Sequence, residues 1–191
     1  PVSTGNQIWP GEVSAISFKD NGELWAWSDR QAGPLMVQLG TGIGDFASTN
    51  ETDYSQFAIE DMTWDNENRV LYLAENSNGN GKNSSEPSTI YSWDSVTGYV
   101  NICSVPGQIE ALDMANNNVL LFAIHEAGDF NIYGWRATDG GCPSLPGADG
   151  PSNIVLQYNT EVYSDIEAIT WPKSCDIELI IANQGLESHP E

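Results

Sequence analysis

The chain has 191 residues, of which 27 are acidic and 6 basic, so its formal net charge is −21. A balance this acidic argues against nucleic acid as a partner, because nucleic-acid binding requires a basic surface. It suits solubility in an extracellular medium, or binding of a divalent cation such as Ca²⁺ between carboxylates. The sequence has no apolar run of about 18 residues, so we expect no membrane-spanning helix.

The predicted elements form a repeated order along the chain. An opening run, VSAISF at 13–18, recurs as IEDMTW at 59–64, IEALDM at 109–114 and IEAITW at 166–171. Each copy is followed by a polar turn and a second apolar run, such as DNGE and LWAW at 20–27. Short runs rich in β-branched and aromatic residues, separated by Asn, Asp and Gly, predict strands joined by hairpin turns.

The spacing of the copies predicts the fold. Their first residues lie 46, 50 and 57 residues apart, and the runs lack a long helical periodicity. Periods of this size are typical of propeller blades. We therefore predict one all-β domain over residues 1–191, a β-propeller of about four blade-like units at 13–57, 59–106, 109–164 and 166–191.

Residues 1–12 and the last unit raise a question of assembly. Residues 1–12 are polar apart from one apolar fragment, QIW at 7–9, and the last unit has only two clear strands. The first segment is predicted to complete the last unit, either in the same chain or in a neighbouring one. The second option would produce a filament by strand exchange.

The repeats at 59–74, 109–124 and 166–182 resemble those of extracellular bacterial β-propeller proteins. In those proteins a blade opens with a short apolar strand that contains an acidic residue, then passes through an Asp/Asn/Gly turn into a Leu-Tyr/Phe strand. Many members have no assigned activity. The resemblance implies a secreted binding protein and names no ligand.

The acidic residue of the repeat is the main candidate for a site. Glu60, Glu110 and Glu167 hold the same place in their units, while Ser14 holds it in the first. Side chains alternate along a strand, so Glu60 is predicted on the same face as Met62. If these strands are innermost, the glutamates converge near the axis and would repel one another unless something neutralises them.

Three interpretations of these glutamates stay open, and one of them is a part in catalysis. They could bind a Ca²⁺ ion at the axis, with Asp61, Asp113 and Asp165 as outer ligands. Alternatively, each could accept a hydrogen bond from the backbone of the neighbouring unit and hold the units in register.

Other candidates are weaker. Cys142 and Cys175 both fall in predicted loops, where a disulfide could join the last two units and leave Cys103 over; three free thiols are the alternative. Trp9, Trp25 and Trp27 are candidates for ligand stacking. No nucleophile elbow or phosphate-binding glycine loop occurs in the sequence.

Three functions remain possible from the sequence. The first is a secreted, non-enzymatic module, stabilised by a cation, that presents its loops to a glycan or a protein. The second is a structural subunit of an extracellular polymer. The third is a metal-assisted hydrolase of phosphate or sugar esters, which would need an open axial pocket. The start at Pro1, without methionine, is that expected of a processed secreted segment.

Overall fold

The computed structural model of the protein describes residues 11–30, 35–40, 51–53, 58–76, 87–126, 129–137, 141–146, 152–159, 166–171 and 180–183. Apart from a 3-10 turn at Asn116–Asn118, the regular elements in these ranges are all strands. They are β1 Gly11–Phe18, β2 Leu24–Arg30, β3 Leu35–Gly40, β4 Glu51–Asp53, β5 Ile59–Asp65, β6 Val70–Asn76, β7 Ser88–Asp94, β8 Gly98–Val105, β9 Gln108–Ala115, β10 Val119–Glu126, β11 Asp129–Arg136, β12 Ile154–Asn159, β13 Ile166–Thr170 and β14 Ile180–Asn183.

The strands form four antiparallel sheets in simple chain order. The sheets are β1-β2-β3-β4, β5-β6-β7-β8, β9-β10-β11-β12 and, in the described ranges, β13-β14. Each begins with one copy of the repeated opening run, and β1, β5, β9 and β13 lie side by side in that order. This is the arrangement of propeller blades around an axis, so the predicted all-β propeller fold is confirmed.

Turn chemistry explains why the hairpins form where they do. Gly22 adopts a φ of 85°, and its N–H bonds the Lys19 carbonyl at 2.9 Å, which closes the β1–β2 turn. In the β7–β8 turn, Asp94 Oδ1 accepts the N–H groups of Val96 and Thr97, both at 2.7 Å. These backbone bonds, from Thr97 first and then Val96, lower the pKa of Asp94.

Apolar side chains fill the spaces between the sheets. The cluster between the first and second sheets is largely aromatic: the ring of Trp25 lies 5.6 Å from Trp64 and 5.2 Å from Trp93. The ammonium of Lys19 covers one end, 4.1 Å from the ring of Trp64. Two further clusters join the second sheet to the third and the third to the fourth. The core therefore lies between blades, with one layer for each contact between neighbours.

The structure corrects two sequence predictions. Cys142 forms a disulfide with Cys103 of β8, with a Cα–Cα distance of 5.3 Å, and not with Cys175, which lies outside the described residues. The bond joins the second sheet to the loop after β11 and should stabilise the fold by about 3 to 4 kcal/mol on the chain-entropy account. Trp25 and Trp27 are buried between the first two sheets, so the prediction that they stack on a ligand is wrong.

Several predictions fall on residues that are not described. Residues 1–10, with Trp9 among them, and Asp165 lie outside the described ranges. Gly11 and Glu12 belong to β1 and pair with β2, so they do not complete another unit; whether residues 1–10 do so, in the same chain or a neighbouring one, stays a prediction. In the described part of the chain, no helix has the length and hydrophobicity of a membrane span.

Gly134 in β11 gives a test of blade packing. A Cβ at this position would lie 2.9 Å from Val119 Cγ1 and 3.0 Å from Leu156 Cβ. We expect Gly134→Ala to lower the free energy of unfolding by about 1 to 3 kcal/mol, because the crowded atoms belong to the buried third sheet. Urea denaturation measures this change.

The matched control is Ser92→Ala, at the corresponding position of the IYSW run in β7. It should change stability by less than about 0.5 kcal/mol. Equal effects of the two substitutions would contradict the packing of β11 described above.

Candidate axial site

The innermost strands enclose a cavity on the axis. It has a volume of about 520 Å³ and is lined by residues of β1, β5, β9 and β13. Glu60, Glu110 and Glu167 all contribute to its wall, together with Asp61 and Asp113. The structure thus brings five of the six residues predicted as metal ligands to one cavity; the sixth, Asp165, lies outside the described residues. Its described lining includes no lysine, arginine or histidine.

A β-bulge directs the glutamates towards this cavity. In β5, Ile59 pairs with Glu75 and Asp61 with Ala74, so Glu60 is an extra residue in the ladder. The same shift skips Glu110 in β9, Glu167 in β13 and Ser14 in β1. A bulge changes the direction of a side chain and is common next to functional sites. It occurs at the equivalent residue of every blade.

The bulge corrects the predicted face of the glutamates. Uninterrupted alternation would place Glu60 beside Met62, which is buried between the first two sheets. With the extra residue, the glutamate leaves the apolar face and lines the cavity. Glu60 and Glu110 are half-buried there, whereas Glu167 is exposed. Within the described ranges, no three carboxylate, histidine or cysteine side chains are grouped closely enough to hold a metal ion.

Asp61 joins the second blade to the third. Its Oδ2 accepts the N–H of Leu112 in β9 at 2.6 Å, and its Oδ1 accepts the N–H of Met62 at 2.8 Å. Neighbouring innermost strands have no backbone ladder between them, so this carboxylate replaces a ladder hydrogen bond. This aspartate makes the kind of contact that the sequence suggested for the glutamates, acceptance of a neighbouring blade's N–H.

Asp113 does the same between the third and fourth blades. Its Oδ2 accepts the N–H of Trp171 at 2.5 Å and the hydroxyl of Thr170 at 3.2 Å, and its Oδ1 accepts the N–H of Met114 at 2.8 Å. The hydroxyl of Thr63 in β5 also donates to Oδ1, at 3.3 Å. Asp113 therefore contacts the blades on both sides.

Two serines of β1 make the contacts with the second blade, and sequence reasoning missed both roles. Ser17 Oγ accepts the N–H of Trp64 at 3.1 Å, and Ser14 Oγ donates to the carbonyl of Ile59 at 2.7 Å. Ser17 and Asp113 share the fifth position of the opening run. A search for oxygen-bearing side chains at that position in each copy would have found this row.

Burial changes the chemistry of Asp61. Loss of water raises its pKa to about 7; the N–H groups of Leu112 and Met62 oppose this rise, and the charges of Asp113 and Glu60 add to it. The carboxyl in the folded protein thus holds its proton to a much higher pH than its usual value of 3.8.

This shift predicts a dependence of stability on pH. Between about pH 4 and pH 7 the folded protein holds a proton on Asp61 that the unfolded chain has lost, so the free energy of unfolding should fall as the pH rises and then level off. The Asp61→Asn variant cannot titrate at this position and should lack that contribution. Urea denaturation of both proteins from pH 4.5 to pH 8, in a chelator, measures the difference. Parallel curves would contradict the shifted pKa.

Comparison with known proteins gives the fold but no family. No protein-family model and no curated protein sequence matches the chain. Among solved structures, it is similar to a luciferin-regenerating enzyme, with a TM-score of 0.61 and 13% identity over 100% of this chain and 60% of that one. It is also similar to the GH43 β-1,3-galactosidase (TM-score 0.53, 11% identity, 87% of this chain and 38% of that one) and to the Dos1 propeller (0.50, 11%, 82% and 39%).

At these identities the likeness concerns the fold alone. The chain is a β-propeller, and it spans about 60% or less of the length of the structures it resembles.

Proposed function

We propose that the protein is a secreted, non-enzymatic binding module that holds a divalent cation, Ca²⁺ in our proposal, in its axial cavity and presents its blade loops to a glycan or a protein. The observation that carries the proposal is the repeated β-bulge. It directs Glu60, Glu110 and Glu167 into one cavity, although each lies on a different blade.

Electrostatics supports a cation as the occupant. Carboxylates that share a confined space destabilise one another unless an opposite charge lies between them. The described lining offers no basic side chain, and the whole chain has only 6. Ca²⁺ is bound through oxygen ligands in flexible geometry, so long glutamate side chains and nearby hydroxyls such as Ser14 and Thr63 suit it. The proposal requires the glutamates to move closer together around the ion than they lie in the described structure.

Other features support the proposals that the protein is secreted and that its partner is a glycan or a protein. The Cys103–Cys142 disulfide suits an oxidising compartment, where such bonds form and persist. The net charge of −21 disfavours nucleic acid as a partner. Loops are the common place for binding residues on a rigid β-scaffold.

The cation proposal predicts that chelation destabilises the protein. A ligand that binds only the folded state stabilises it by mass action, so Ca²⁺ at 100 times its dissociation constant should contribute about 2.7 kcal/mol. Differential scanning calorimetry with Ca²⁺ or with a chelator measures the change. The triple variant Glu60→Gln, Glu110→Gln, Glu167→Gln should stay folded and lose the difference.

Glu67→Gln is the matched control, since Glu67 is exposed in the β5–β6 turn and is not among the residues lining the cavity. It should respond to Ca²⁺ as the wild type does. If chelation leaves the melting temperature of the wild type unchanged, the axial cation is wrong.

A metal-assisted hydrolase of phosphate or sugar esters is the second candidate. The size of the cavity favours it, because about 520 Å³ would accommodate a small substrate beside the glutamates. The lack of basic side chains in the described lining favours the binding module, since a phosphate ester would need a positive partner. The test is release of nitrophenol from nitrophenyl phosphate or nitrophenyl glycosides. Release by the wild type with Ca²⁺, and none by the triple variant, would favour the hydrolase over the binding module.

A further inference from the structure

The face of β1 that is turned away from the second blade, its outer face, is apolar and exposed, and two of its residues also line the axial cavity. In the second blade, Ile59, Met62 and Trp64 pack against the first blade and are only 1%, 2% and 3% exposed. The same positions of the repeat in β1 are held by Val13, Ile16 and Phe18, which are 40%, 57% and 62% exposed. The row that forms an interface in the second blade is therefore not covered by the described residues in the first.

The backbone beside this row is also incomplete. In three places the N–H group of the fourth or sixth residue of a run meets an acceptor from the preceding blade, whereas the N–H groups of Met62 and Met114 bond the aspartate of their own run. Asp61 accepts the N–H of Leu112, Ser17 accepts the N–H of Trp64, and Asp113 accepts the N–H of Trp171. The corresponding groups of β1 belong to Ile16 and Phe18. Within the described residues, no side chain of another blade accepts them.

The other end of the row of blades shows the complementary face. Ala111 of β9 is fully buried against the fourth blade, whereas Ala168 at the same position of β13 is exposed, as is Thr170. β1 and β13 both line the axial cavity, yet their described residues share no ladder. Among the described residues, one end thus has large apolar side chains that no other blade covers, and the other end has small side chains that no other blade covers.

We propose that a further blade of the same repeat, carried by polypeptide other than residues 1–191, docks on the outer face of β1. The interfaces already present define its chemistry. It has small side chains opposite Val13, Ile16 and Phe18, and Asp, Ser or Thr side chains that accept the N–H groups of Ile16 and Phe18. Its own bulged residue extends the ring in the axial cavity.

A second copy of this chain fits the face less well. Its exposed end offers Ala168 at the third position, which supplies no acceptor for the N–H of Ile16. Each copy also carries a net charge of −21, so two copies repel each other. Both features favour a different blade as the occupant.

The chain's own second blade provides a probe for this face. Its outward side chains include Asp61 and Thr63, which meet the third blade. The pair Pro106-Gly107 precedes the bulged residue of β9, and the pair Pro10-Gly11 precedes the bulged residue of β1. The number of residues between pair and bulge is the same in both strands. A fusion in which a second copy of residues 58–106 replaces residues 1–10 therefore keeps the natural spacing.

Hydrogen exchange measured by NMR tests the proposal. In the fusion, the amide hydrogens of Ile16 and Phe18 should exchange at least about tenfold more slowly than in the 191-residue chain, because they gain acceptors. The matched control carries Asp61→Ala in the added copy alone and should restore fast exchange at Ile16. Unchanged exchange at both residues in a folded fusion would overturn the proposal.

Substitutions in the 191-residue chain give a test that does not need the fusion to fold. Phe18→Ser should change the melting temperature by less than about 2 °C, whereas Met62→Ser, in the covered row of β5, should lower it by about 8 °C or more. Equal losses would show that the face is already covered within the chain. A dimer that Phe18→Ser dissociates would assign the face to a second copy. Either result would overturn the proposal.

Discussion

The blades of this propeller are held in register by side-chain oxygens that accept backbone N–H groups of the next innermost strand. Asp61, Asp113 and Ser17 each do this, at 2.5 to 3.1 Å. Innermost strands around an axis have no partner strand on their inner side. Without a side-chain acceptor, the N–H groups on that side would make no hydrogen bond within the protein. An acceptor from the preceding blade meets this need and fixes the relative position of the two blades. The apolar layers between the sheets add stability on top of this geometry.

The axial chemistry follows from the same constraint. The bulge takes the second residue of each opening run out of the ladder, and this residue is the one that lines the cavity. Asp61 lies next to it and is already held by two N–H groups, yet burial still raises its pKa to about 7. A further carboxylate in this space is costly without a counter-charge. In the cation proposal, the glutamates are the groups that would hold the ion.

Much of the fold could be predicted from the sequence, because strand periodicity and turn residues are local signals. The convergence of Glu60, Glu110 and Glu167 also followed from their equal place in the repeat. The face of the strand on which the glutamates lie could not be predicted, because a bulge adds one residue without changing the alternating sequence pattern that precedes it. The partner of Cys142 depends on the path of a loop through space, which spacing along the chain does not reveal. Asp61 and Asp113 were predicted as outer ligands because they lie close to the glutamates in the sequence. They occupy different positions of the run, and this hid their common role as acceptors.

The most direct test of this account is anomalous diffraction from crystals of the protein grown with Mn²⁺ in place of Ca²⁺. The account predicts an anomalous peak in the axial cavity, within about 2.5 Å of oxygens of Glu60 and Glu110, with Asp61 and Asp113 still bonded to the N–H groups of the next blades. A cavity without a peak, with the three glutamates directed away from it and no bulge at their positions, would contradict it.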